Sequence, residues 1–74
     1  MTPEQYSEIV ENTVMDLLEF RVKQTINTPI MGEVVIHPAR HDGYVVTKDG
    51  KQIYKGLAIV AYLLYLGRTL KDQS

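Results

Sequence analysis

His37 and His41 stand four residues apart, and Asp42 follows directly. On a helix that spacing would set two imidazoles on one side with an oxygen ligand beside them, the arrangement of a metal site. Pro38 falls between the two histidines and works against a helix there. A loop with two surface histidines is the plainer expectation, and no metal is assigned. Glu33 and His37 would share one face of a regular strand, placing a carboxylate and an imidazole within reach of acid–base work. The simpler reading is the exposed face of an edge strand. Ser7 and Ser74 are hydroxyls near the ends of the chain with no base close to them in sequence. The absence of cysteine rules out disulfides, thiolate ligands and a cysteine nucleophile. Gly32, Gly43, Gly50, Gly56 and Gly67 are scattered rather than gathered into a phosphate-binding loop. These residues predict a protein that is not an enzyme, with no cofactor and no small-molecule substrate.

Two stretches suit binding instead. The first is a run in which Lys48, Lys51 and Lys55 sit with Tyr44 and Tyr54 on two paired strands, preceded by Arg40 and His41. Cations for phosphates and aromatic faces for bases make a surface suited to single-stranded nucleic acid. Lysines near a hairpin also protect a sheet edge from pairing with another chain. A net charge of −1 is far from the basic excess of a dedicated nucleic-acid binder. That charge is uneven: residues 1–28 carry five acidic and two basic side chains (−3), and residues 29–74 four acidic and six basic (+2). Nucleic-acid binding is therefore the alternative reading.

The second stretch is the uncharged run Leu57–Leu66, extended by Gly67, Arg68, Thr69 and Leu70. It is too short to cross a bilayer, which takes about 20 apolar residues. As a helix it would gather Leu57, Ile59, Val60, Leu63, Leu64, Leu66 and Leu70 on one half of its wheel. Ala58, Ala61, Tyr62, Tyr65, Arg68 and Thr69 fill the other half. A helix apolar nearly all round is normally covered on more than one side. A 74-residue chain has little material to cover it twice. The aliphatic half is expected to be core. Ala58, Ala61, Tyr62, Tyr65 and Thr69 are expected to meet a partner, because tyrosines offer broad contact area and alanines allow close approach.

The elements that must hold these stretches follow from pattern. Thr2-Pro3-Glu4-Gln5 is a helix start with a capping box, and Tyr6, Ile9, Val10, Thr13, Val14, Leu17, Leu18 and Phe20 then lie along one face. Met15 and Val22 fall outside that arc, as edge contacts or a second, smaller contact surface. This helix is expected to fray over residues 24–27, before Pro29. A strand over residues 33–37 ending at Pro38 near a sheet edge follows. Strands over 44–47 and 52–55 flank Asp49-Gly50, which predicts a tight hairpin with Val46 opposite Ile53 and Val45 opposite Tyr54. Asp42-Gly43 is a further turn signal.

The expected architecture is a small single α+β domain over residues 1–74: helix, three-stranded antiparallel meander, helix. No signal or membrane-spanning pattern is visible, so a cytoplasmic location is expected. The expected function is that of a small non-enzymatic accessory module, a homodimer or a binder of another protein, working through its last helix.

Overall fold

The reciprocal cap predicted at the amino terminus is present. The Thr2 hydroxyl accepts from the Gln5 N–H at 3.1 Å, and the Gln5 side chain accepts from the Thr2 N–H at 2.9 Å. Helix α1 (Pro3–Phe20) runs from that cap. The computed structural model describes residues 1–68, the side chain of Asp42 excepted. Thr69 and Leu70, assigned above to the partner face and the aliphatic face, lie outside the described residues.

α1 stops four residues earlier than the frayed end expected at residues 24–27. Arg21 takes a left-handed conformation, and its N–H bonds back to the Leu17 carbonyl at 3.1 Å. Residues 24–27 are therefore not a fraying helix. They begin strand β1 (Gln24–Thr28), which pairs antiparallel with β2 (Gly32–Pro38). Thr25, Ile26 and Thr28 are β-branched, and the pleat sends Ile26 and Thr28 inward. The Thr28 hydroxyl closes the hairpin, donating to the Gly32 carbonyl at 2.8 Å and accepting from the Met31 N–H at 3.1 Å.

After a single 3-10 turn (Arg40–Asp42), strands β3 (Tyr44–Lys48) and β4 (Lys51–Gly56) complete the sheet. The left-handed residue of that turn is His41, and Gly43 leaves it in an extended conformation. The order is β1-β2-β3-β4, a four-stranded antiparallel meander rather than three strands. β2 is consequently an interior strand, not an edge. The fold is a small α+β domain: helix, four-stranded meander, helix.

The β3–β4 turn forms at Asp49-Gly50, with both residues at positive φ (52° and 81°). Lys48 faces Lys51 and Thr47 faces Gln52, as the two-residue turn demands. The register then shifts at a bulge, so Val46 faces Tyr54 and Val45 faces Lys55. Both pairs correct the expected register. An extra residue in one strand turns every later side chain to the opposite face. Tyr54 thereby joins Tyr44 and Val46 on the inner side, and Lys55 goes to the outer one.

Helix α2 (Ile59–Tyr65) crosses the same sheet face as α1 and is shorter than the expected run, with Leu57 left outside it. The core is one layer deep. Tyr6, Val10, Val14 and Leu17 of α1 and Ile59 and Leu63 of α2 cover Ile26, Val34, Ile36, Tyr44 and Val46 of the sheet. Ile9, Leu18 and Phe20, expected on the core face of α1, are exposed at its borders. Among the described residues no second layer covers the other sheet face. No described helix is long and apolar enough to cross a membrane.

Candidate functional site

Two cores cannot form under one seven-residue helix, and α2 divides its apolar residues accordingly. Ile59, Leu63 and Leu66 are buried, at the i, i+4, i+7 spacing of a single stripe. The remaining apolar residues of α2 face away from the sheet, and Leu57, before the helix, is exposed as well. Leu57 is 69% exposed, Val60 44%, Leu64 43% and Tyr65 51%, with Ala61 exposed among them. This corrects the division expected from the wheel. Leu57, Val60 and Leu64 are surface, whereas Tyr62, assigned to the partner face, is half-buried against the core.

The bulge in β4 accounts for the fate of Tyr62. By turning Tyr54 inward it brings the two rings into a stack, with centroids 4.2 Å apart and planes 14° from parallel. The Tyr54 hydroxyl also accepts from the Ala58 N–H at 3.1 Å, so one side chain supports both the start of α2 and its middle. Tyr65 continues the series 6.5 Å beyond Tyr62, and the Arg68 guanidinium lies 4.6 Å from the Tyr65 ring centre. Burial raises the pKa of the Tyr62 phenol, and the neighbouring Tyr65 and Tyr54 raise it further. Of the residues assigned to the partner face, Ala58, Ala61 and Tyr65 are exposed and Tyr62 supports them from behind.

The seam between α1 and α2 is a groove on the same outer surface. A recess of about 270 Å³ is lined by Val10, Val14 and Met15 from α1 and Val60 and Leu64 from α2, with Glu11 at its edge. Beyond Ser7 the depression continues between Pro3 and Tyr6 on one side and Leu64, Tyr65 and Arg68 on the other. Met15, 58% exposed, is part of this wall rather than a stray apolar residue. Its position outside the main arc of α1 was the sequence signal. Val60 and Leu64 carried a signal too, since residues 57, 60, 61 and 64 repeat at helical spacing in parallel with the buried stripe.

The residues assigned to nucleic acid are dispersed. Tyr44 is buried in the core, and Tyr54 is stacked on Tyr62, so neither ring stands free on the surface to receive a base. Lys48 and Lys51 face one another beside the Asp49-Gly50 turn. Lys55 points to the opposite sheet face, and Arg40 lies in the 3-10 turn before the far end of β3. His37, on the sheet face opposite the helices, bonds through Nε2 to the Thr47 hydroxyl at 3.0 Å, and His41 is exposed in the turn. Among the described residues no three histidine, aspartate or glutamate side chains gather closely enough to hold a metal ion.

Compared with known proteins, the chain matches no family model, no curated protein and no solved structure.

Proposed function

We propose that this chain is a small non-enzymatic binding module that associates with another protein, or with a second copy of itself, through the outer face of α2. The observation that carries the reading is the second apolar stripe. Leu57, Val60, Leu64 and Tyr65 stay exposed although the core beneath α2 is complete without them. Scattered exposed apolar residues are ordinary, but a contiguous stripe beside an apolar groove marks an interaction surface. A central aromatic, Tyr65, held in place by Tyr62 and Arg68, is the kind of pre-ordered side chain that anchors an interface.

The test uses native protein beside Val60→Asp and Leu64→Asp. Both positions are exposed, so helical circular dichroism and thermal melting should be nearly unchanged. Sedimentation equilibrium at micromolar concentration and capture from cell lysate should each be compared between native and variant chains. Self-association or a captured protein that disappears with either aspartate supports the reading. A monomer whose captured proteins are identical for native and variant chains removes it.

Nucleic-acid binding, the second reading, rests on the cations Arg40, Lys48, Lys51 and Lys55 once the rings of Tyr44 and Tyr54 face inward. Phosphate contacts without stacking would give weak, salt-sensitive attachment with no preference for sequence.

A further inference from the structure

We infer that the α1–α2 groove takes a basic amphipathic helix of a partner protein, lying with its apolar face on Val60, Leu64 and Met15. The inference rests on the proposed docking role of α2 and adds the chemistry of the occupant. The floor and one wall of the groove are apolar: Val10, Val14 and Met15 face Val60 and Leu64 across the seam. The flank is acidic. Between Pro3 and Phe20, α1 carries Glu4, Glu8, Glu11, Asp16 and Glu19 and no lysine or arginine at all. Glu11 borders the apolar recess itself, and Glu4, Glu8 and Glu11 line the wider depression adjoining it, beside Ser7 and Met15.

Charge decides between the candidate occupants. In a two-fold dimer each copy presents the same patch to the other. Glu4, Glu8 and Glu11 of two α1 helices would then bring six carboxylates to one interface, against the single Arg68 that each chain supplies after α2 on the described part of this face. Like charges set opposite one another across an interface cost affinity and disfavour that pairing. An anionic membrane surface is repelled on the same grounds. A helix with leucine-like anchors at i, i+3, i+4 and i+7 and lysine or arginine along its flanks meets both requirements. Its apolar face covers the groove, and its cations lie along α1. The groove is open on the outer side of the domain, so this occupant docks without disturbing the core.

The experiment measures binding of two labelled synthetic helices to the whole chain by fluorescence anisotropy. Each is about 18 residues, about 27 Å as a helix, with leucine at the four anchor spacings. One has lysine at the remaining positions and the other glutamate. The lysine peptide should bind at least about tenfold more tightly at low salt. Its advantage should shrink in 0.5 M sodium chloride, where charges more than about 4–5 Å apart are screened. Leu64→Asp, or Met15→Gln should the first variant fold poorly, should weaken it severalfold. Glu8→Gln with Glu11→Gln should reduce the preference for lysine, whereas Glu33→Gln on the sheet face opposite the helices should not.

Four results overturn the inference, and they fail differently. Equal binding of the two peptides means that the groove takes a helix but α1 does not select its charge. Lysine-peptide binding that ignores Leu64→Asp and Met15→Gln is diffuse charge attraction outside the groove. Absence of peptide binding in a protein that sediments as a dimer, with the dimer lost in Leu64→Asp, makes the occupant a second copy and leaves the docking role intact. Absence of both peptide binding and any association lost in the aspartate variants removes the docking role as well.

Discussion

The Tyr6 hydroxyl donates to the Leu63 carbonyl at 2.6 Å, joining the first turns of α1 to the last turn of α2 across 57 residues of sequence. The same ring occupies the space beside Gly67, where an added Cβ would clash with the Tyr6 Cε2 and Cδ2 atoms. One buried tyrosine therefore sets how closely the two helices approach. The width of the groove between them follows from that approach.

Gly67→Ala should destabilise the domain by about 1–3 kcal/mol, because the buried ring can yield only by moving a helix. Thermal melting would register the loss. An unchanged melting temperature would mean that α1 and α2 can shift apart without penalty.

Burial pushes the Tyr6 phenol up to about 12, above the value near 10 of an unfolded chain. The sign follows from proton binding: between pH 10 and 12 the folded state holds a proton that the unfolded state has released. The contribution is whole below pH 10 and is lost as pH rises through 12, at no more than about 1.4 kcal/mol per pH unit. Denaturant melts across this range should show stability falling. Tyr6→Phe should start less stable and fall less steeply, with the remaining slope reflecting Tyr62, whose phenol is raised in the same direction.

Gly50→Val should cost about 1–3 kcal/mol, since Gly50 sits at φ 81° beside Asp49 at φ 52°, and a β-branched side chain resists that region. Chemical denaturation would measure it. An unaltered midpoint would place the turn elsewhere.

Tyr62 and Tyr65 should separate in their effects although they are three residues apart. Tyr62→Ala removes a half-buried ring stacked on Tyr54 and should lower folding stability by about 2 kcal/mol. Tyr65→Ala removes a surface ring and should leave melting almost unchanged while weakening association, by about 2 kcal/mol if Tyr65 is a central anchor. Equal loss of stability in both variants would make Tyr65 a structural residue and remove it from the interface.

Single-stranded oligonucleotides should bind weakly if at all, through charge alone. Any gel shift seen at low salt should be gone by about 200 mM, and Lys48→Ser with Lys51→Ser should flatten its salt slope. Binding that persists at that salt would point to stacking surfaces other than Tyr44 and Tyr54.

Local chemistry was legible along the chain wherever a few neighbouring residues decide the structure. Thr2, Pro3 and Gln5 specify the start of α1 because capping involves only groups within one turn. Asp49-Gly50 specifies a hairpin because positive φ is tolerated by few residue types. The apolar wheel of residues 57–66 likewise announced more hydrophobic surface than one small core can cover. Three things depended on contacts distant in sequence. Residues 24–28 became a strand because β2 was there to pair with them, whereas alone they read equally as the end of a helix. The bulge in β4 sent Tyr54 inward and Lys55 outward, and nothing local to Ile53 marks it. The rotation of α2 about its own axis was decided by which residues could reach the sheet together. Both sides of that helix are apolar, so its own pattern could not choose between them. Tyr54 stacking on Tyr62 and Tyr6 bonding to Leu63 made the choice, which left Val60, Leu64 and Tyr65 on the surface.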